Sequence, residues 1–220
     1  MNTILITGAN RGIGLEYCRQ YKDKGDSVIA VCRTLSPELE KLGVEIIADI
    51  DVSNEMSVYD LGEQLEGKRI DIAINNAGIM QNETIDKLDI NSIRKQFEVN
   101  TLGPLMVTRA ILPHMANPSK LILMTSRMGS IADNTSGGKY GYRMSKAALN
   151  SAGVSLSHDL KDKGIAVAIL HPGYVKTDMT NDSGNITAEE SVNDLIARID
   201  ELTLENSGTF WHSDGQVLPW

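Results

Sequence analysis

The sequence predicts an α/β fold: a doubly wound parallel sheet of about seven strands with helices on both faces. Three observations predict it. Short apolar, β-branched runs alternate with longer helix-like segments, the pattern of parallel strands joined by crossover helices. The apolar runs are continuous, as in Ile70-Asp71-Ile72-Ala73-Ile74, which suits strands covered on both faces. A glycine-rich turn follows the first run directly and opens an amphipathic segment.

In chain order, strands are expected over Thr3–Thr7, Ser27–Cys32, Val44–Ala48, Ile70–Asn75, Lys120–Thr125, Ile165–Leu170 and Thr209–His212. Helices are expected over Gly12–Lys24, Ser53–Glu66, Asp89–Leu112, Tyr142–Asp162 and Ala188–Glu205. The last has its own start signal: Thr187 and Glu190 stand at capping-box spacing, and Glu189 and Glu190 suit the positive end of the helix dipole. No linker, internal repeat or low-complexity tract interrupts the series, so residues 1–220 read as one domain. Residues 134–139 and 180–185 are irregular and polar, and both follow a strand end, where open α/β sheets bind ligands.

A formal charge of -8 argues against nonspecific nucleic-acid binding and against an anionic membrane surface. No apolar run is long enough to span a bilayer, and Met1 leads straight into the first strand without a basic leader, so a cytoplasmic location is expected. The two cysteines, Cys18 and Cys32, sit in apolar patterns and read as buried thiols, not a disulfide framework. No His, Asp or Glu grouping has metal-ligand spacing, so no metal is expected.

The turn after the first strand reads Thr7-Gly8-Ala9-Asn10-Arg11-Gly12-Ile13-Gly14. Gly8 permits a tight turn, Gly12 lets the backbone approach a pyrophosphate, and Gly14 allows close packing of helix on strand, with free N–H donors at the helix start. The second strand ends in Val31-Cys32-Arg33-Thr34. An acidic residue at this point suits a free ribose 2′-hydroxyl, whereas a cation suits a 2′-phosphate. Arg33, with Arg11 as a second cation, therefore points to NADP(H) in preference to NAD(H).

Tyr142 and Lys146 lie one helical turn apart, on one face. A phenol with a pKa of about 10 is a poor proton shuttle near neutrality, and a neighbouring ammonium is expected to lower it. Ser126 closes the fifth strand, where its hydroxyl can polarise a substrate carbonyl. Two competitors are weaker: Ser130 lies further into the loop, and Tyr140 has Met144, not a lysine, one turn on.

The ordered set Thr7-Gly8-Ala9-Asn10-Arg11-Gly12-Ile13-Gly14, Asp51-Val52, Asn75-Asn76-Ala77-Gly78, Asn100, Ser126, Tyr142-Arg143-Met144-Ser145-Lys146 and Pro172-Gly173 with Thr177 resembles the short-chain dehydrogenase/reductase family over nearly the whole chain. The resemblance implies a Rossmann fold with strand order 3-2-1-4-5-6-7 and an NADP(H)-dependent oxidoreductase acting on a small carbonyl or alcohol. By the same resemblance Asn100, Ser126, Tyr142 and Lys146 are catalytic. Asn100 would kink its helix to hold a water leading to Lys146, and Lys146 would also hold the nicotinamide ribose. Gly8, Asn10, Arg11, Gly12, Ile13, Gly14 and Arg33 would bind the phosphates and adenosine ribose. Asp51 and Val52 would meet the adenine, and Asn75, Asn76, Ala77 and Gly78 would line the ribose side while bracing the central strand. Pro172, Gly173, Val175 and Thr177 would hold the carboxamide end. The family often forms twofold dimers or tetramers through its long helices, here Asp89–Leu112 and Tyr142–Asp162.

The interval between Ser126 and Tyr142 is longer than the family pattern and the segment after Thr177 is short, which implies a small substrate lid. The final stretch, Ser207 to Trp220, is similar to the subgroup of Sniffer-type carbonyl reductases and bacterial C-factor-like proteins. That likeness keeps a second function class open, a signalling protein of this fold that binds the cofactor with little turnover. Met80, Met128, Tyr174, Met179 and Trp211 are candidates for an apolar pocket or for ordinary core. His114, His158 and His171 read as structural or surface residues.

Overall fold

The computed structural model describes residues 1–220. Seven strands form one parallel sheet in the order β3-β2-β1-β4-β5-β6-β7. They are β1 (Thr3–Thr7), β2 (Ser27–Val31), β3 (Glu45–Ile47), β4 (Ile70–Asn75), β5 (Met115–Met124), β6 (Ile165–His171) and β7 (Phe210–His212). The helices are α1 (Gly12–Asp23), α2 (Pro37–Leu42), α3 (Glu55–Gln64), α4 (Ile90–Phe97), α5 (Gly103–Ile111), α6 (Tyr140–Asp159) and α7 (Ala188–Glu201).

Both sheet faces are covered, and the alternation of side chains along each strand divides the core accordingly. Ile4 and Ile6 of β1 pack with Tyr17, Cys18 and Tyr21 of α1, Leu39 of α2, and Val192, Leu195 and Ile199 of α7. Leu5, between them, belongs to the opposite layer with Val58 and Leu61 of α3, Val107 and Ile111 of α5, and Leu149 of α6. Both cysteines are buried free thiols, as their apolar settings imply.

The segment Asp89–Leu112, expected as one helix, is broken. Asp89 caps α4 through bonds from the N–H groups of Asn91 and Ser92, and a π-helical turn at Glu98–Leu102 separates α4 from α5. Within that turn the Gly103 N–H donates to the Glu98 carbonyl, five residues back. Pro104 supplies the local reason, since it has no N–H to return to the Asn100 carbonyl four residues earlier.

Other boundaries also move. A helix not expected from the sequence, α2, is capped by Ser36, starts at Pro37 and stops at the left-handed Gly43. Strand β5 begins at Met115, five residues before the expected Lys120, across a register shift against β4 between Ile70 and Ile72. Helix α6 begins at Tyr140, so Tyr142 lies in its first turn, and α7 ends at Glu201 instead of Glu205.

Candidate active site

The glycine-rich turn joins β1 to α1 with Gly8 and Gly12 at φ of 66° and 53°, a region that side chains with a Cβ rarely occupy. A Cβ at Gly14 would collide with the Gly8 carbonyl, and one at Gly8 would lie 2.8 Å from the Ala77 Cα. The turn is therefore wedged against the end of β4. Thr7 Oγ1 accepts from the Asn76 and Ala77 N–H groups at 3.0 and 3.1 Å, and Asn76 Nδ2 donates to the Thr7 and Gly8 carbonyls. Asn75 Nδ2 donates to Thr108 Oγ1 at 3.2 Å. These bonds give Asn75 and Asn76 the bracing part of their expected role.

The start of α1 has no side-chain cap, so its first N–H groups are left as donors for a ligand. Across from it, a Cβ at Gly12 would lie 3.5 Å from Thr177 Cγ2, and Arg11 pairs with Asp178 at 3.0 Å. The turn and the segment Pro172–Thr177 thus face each other at close range. Gly173 is left-handed at φ 87°, and the Pro172 carbonyl accepts from Ser191 Oγ of α7. The Asn10 carbonyl accepts from Ser36 Oγ, tying the turn to α2.

Arg33 and Asp51 come together at the far end, 3.6 Å apart, with the Arg33 side chain 68% exposed. Burial pushes the Asp51 carboxyl up, but bonds from the Ser53 hydroxyl and N–H outweigh it with help from Lys95 and Arg33, holding it below the usual range. Arg11 is drawn to Asp178 and not to this group. Val52 is buried beneath Gly103, the first residue of α5.

The structure brings Asn100, Ser126, Tyr142 and Lys146 together, all buried. Ser126 lies two residues past the end of β5, and its Oγ accepts from the Met128 N–H at 3.1 Å, starting a short turn, Arg127–Gly129. Gly129 permits that turn to lie on α6, since a Cβ there would meet the Lys146 carbonyl carbon at 2.8 Å. Lys146 Nζ donates to the Met124 carbonyl at 2.8 Å and stands 5.8 Å from the centre of the Tyr142 ring. Asn100 sits in the π turn. Its Nδ2 donates to the Ile79 carbonyl and to Ser145 Oγ, and its Oδ1 accepts from the Ile79 N–H at 2.8 Å. A Cβ on Gly78 would lie 3.3 Å from Asn100 Oδ1 and 3.6 Å from Lys146 Nζ, so Gly78 keeps this corner open.

The electrostatics differ from the expectation. Burial pushes the Tyr142 phenol up, opposed by the hydrogen bond with Ser126, and Lys146 does not offset it. The lysine is itself desolvated: burial brings its ammonium down to about 8. Among the competitors, Ser130 Oγ is taken by the Asp133 N–H and Tyr140 is only half-buried. His171 is enclosed, packed edge-on against His212 at 5.0 Å, and burial, then His212, hold it down to about 3, so it is neutral and structural.

The pocket candidates divide. Met80 and Met128 are half-buried beside the site, and Tyr174 and Met179 are partly exposed on the loop after β6, where Tyr174 Oη meets Ser183 Oγ at 2.5 Å. Trp211 packs on the α1 and α7 face of the core instead. Three groups in the site were not singled out by motif: Thr101, whose Oγ1 donates to the Ser145 carbonyl, and Glu83 and Gln96, which are buried beside the start of α6.

The fold and site define a short chain dehydrogenase: the model of that family matches residues 2–191, and the chain belongs to it. It is 42% identical, over the full length of both chains, to a 1-hydroxy-2-glutathionyl-2-methyl-3-butene dehydrogenase of Rhodococcus sp. (strain AD45). It is 43% identical over 69% of its length to the C-signal protein of Myxococcus xanthus, covering 93% of that protein. Among solved structures, the carbonyl reductase Sniffer of D. melanogaster superposes with a TM-score of 0.94 at 33% identity, with both chains wholly covered. An NADPH-bound carbonyl reductase from chicken fatty liver does so at 0.91 and 30%, covering 100% of this chain and 99% of the other. The chain is an oxidoreductase of the Sniffer and C-factor-like type, as its final stretch implied.

Proposed function

We propose that the chain transfers hydride between NADP(H) and the carbonyl or alcohol carbon of a small aldehyde, ketone or quinone, with Tyr142 as general acid and base. The observation that carries this reading is the convergence of Ser126, Tyr142 and Lys146 in one buried corner beside the glycine turn. A dinucleotide fits the residues present: the left-handed glycine turn of Gly8 and Gly12, the uncapped start of α1, and the exposed cation Arg33. Gly8, Asn10, Gly12, Ile13 and Gly14 hold the pyrophosphate end, and Arg33 the 2′-phosphate. Asp51 and Val52 take the adenine, and Ala77 and Gly78 the ribose side. Pro172, Gly173, Val175 and Thr177 hold the carboxamide.

When bound, the nicotinamide supplies or accepts the hydride. The protein does the rest. Ser126 Oγ donates to the substrate oxygen and polarises the carbonyl, and Tyr142 Oη gives its proton to that oxygen during reduction and takes it back during oxidation. Lys146 holds the ribose and returns the proton to the phenol through water held at the Asn100 turn. Met80, Met128 and the Tyr174–Met179 loop exclude bulk water from the reacting carbon.

The test is NADPH oxidation by the purified chain against a panel of aldehydes, ketones and quinones, with a glutathionyl alcohol assayed in the oxidative direction. Turnover on at least one is expected. Tight NADPH binding with no turnover on any would transfer the assignment to the signalling class that the C-signal match represents.

Cofactor choice has a separate prediction. Arg33→Ala is expected to weaken NADPH binding between about tenfold and a hundredfold while leaving NADH within about threefold, because only the 2′-phosphate loses a charged partner. Fluorescence titration measures both, and equal losses would contradict the assignment. We also propose a homodimer or homotetramer formed on α4, α5 and α6, where Leu102 and Met144 are exposed. A monomeric mass in solution would contradict it. No helix is long and apolar enough to cross a membrane, and a cytoplasmic location is the proposal most consistent with the free cysteines.

A further inference from the structure

Helix α6 carries the proposed proton donor in its first turn, yet the residue before it offers no side-chain cap. Lys139 stands in the N-cap position in a left-handed conformation, at φ 50°. The opening N–H groups of a helix have no partners within it and otherwise fray or bind water. Here the Gly141 N–H, one residue before Tyr142, donates to Glu83 Oε2 at 3.3 Å, although Glu83 lies 58 residues earlier in the chain. The backbone of Glu83 joins in, its carbonyl accepting from the Lys139 N–H at 2.8 Å.

Glu83 is only 3% exposed. Its Oε1 accepts from Ser92 Oγ at 2.6 Å and from Gln96 Nε2 at 2.5 Å, both on α4. Gln96, fully buried, passes the connection on, since its Oε1 accepts from the Gln81 N–H at 3.0 Å. Every neighbour of the Glu83 side chain is a donor, which suits a carboxylate and nothing else of that shape. The packing around it is closed: a Cβ at Gly141 would lie 2.5 Å from Gln96 Nε2 and 3.0 Å from the Ile93 Cα. A buried acidic residue with no role in packing and no basic partner is costly to keep.

We infer that Glu83 is a positioning residue for the reaction: it caps α6 from outside and fixes the first turn, and with it Tyr142, against α4. This rests on the proposed role of Tyr142. The consequence is mechanical. A phenol in a frayed turn wanders by more than the reacting geometry tolerates, and a misplacement of about 1 Å costs about a hundredfold in rate. Ser92 shares the same network, donating to Glu83 from α4, but makes no hydrogen bond to α6, so it separates a structural effect from a positional one.

The experiment compares Glu83→Ala, Glu83→Gln, Ser92→Ala and Tyr142→Phe in steady-state kinetics, NADPH binding and amide hydrogen exchange. Expected for Glu83→Ala is a kcat at least about tenfold below wild type, with the NADPH Kd within about threefold. Glu83→Gln keeps one acceptor oxygen and is expected to recover part of that loss. Ser92→Ala should keep kcat within about twofold even where it lowers the melting temperature. Exchange at Gly141 and Tyr142 should quicken at least tenfold in both Glu83 variants, a readout independent of catalysis. Unchanged exchange in Glu83→Gln overturns the inference even where Glu83→Ala fails to fold. So does a kcat loss in Ser92→Ala as large as that in Glu83→Ala. If Tyr142→Phe stays active, the reading of Tyr142 falls; if it is inactive while Glu83→Ala matches wild type, the positioning role alone falls.

Discussion

Tyr142→Phe is expected to lower kcat by about 10²–10⁴, the range that a positioned general acid contributes, while NADPH binding stays within about threefold. Phe keeps the ring that fills the buried site and removes only the hydroxyl beside Ser126, so the fold has no reason to respond. The wild-type pH profile follows from the same group. Reduction needs the phenol protonated, and burial pushes its pKa up, so the reductive kcat should hold level through neutrality and fall only in alkaline solution. Oxidation needs the phenolate, so its rate should climb over the same alkaline range. Both limbs should vanish in Tyr142→Phe. Retained activity would instead direct attention to Tyr140, half-buried two residues away in the same turn.

The strands and most helices were legible because short Val- and Ile-rich runs alternate with helix-length segments, a pattern that suits strands covered on both faces. Helix α2 was passed over because six residues are too few to show a period, although Ser36, Pro37 and Gly43 mark its ends. The break at Glu98–Leu102 was foreshadowed only by the kink that the family resemblance places at Asn100, and residue periodicity does not show it. A proline at 104 reads equally as a helix start, and only the backbone bond from the Gly103 N–H to the Glu98 carbonyl decides between them. In the site, the spacing of Tyr142 and Lys146 was local and readable, whereas partners far apart in the chain were not. Arg11 meets Asp178 at a separation of 167 residues, a partner that the turn alone does not show. Glu83 carries no motif at all, and its meaning comes entirely from α4 and the start of α6, which close around it.

From sequence, Lys146 is a cation one turn from a phenol, and Coulomb attraction alone would lower the phenol's pKa. In the fold both groups are desolvated, and desolvation acts on each separately, raising the acid and lowering the base. The corner therefore favours a neutral phenol beside a weakened ammonium, a state suited to donating a proton.

Lys146→Met is accordingly expected to abolish turnover and yet stabilise the protein. The ammonium is held down to about 8 from an ordinary value of about 10.4, by burial. Below pH 8 the lysine is charged in both folded and unfolded chains, and the folded state bears the whole burial penalty, about 3 kcal/mol at 1.36 kcal/mol per unit. Between pH 8 and about 10.4 the unfolded chain binds more protons than the folded one, so stability rises with pH through that window and levels off above it. Met has nearly the same length, no charge and no donor, and leaves only the Met124 carbonyl without its 2.8 Å partner, a loss of about 1 kcal/mol. The net expectation at pH 7 is a gain of about 2 kcal/mol, or roughly 4–8 °C in melting temperature for a chain of this size. The gain should disappear near pH 10, where the native lysine is already neutral in the fold. Thermal unfolding of both proteins at pH 7 and pH 10 measures it, and a variant less stable at pH 7 would show that the Met124 bond, not desolvation, dominates. If the gain is found, the lysine is kept at a cost to the fold, which only a role in binding or proton transfer explains.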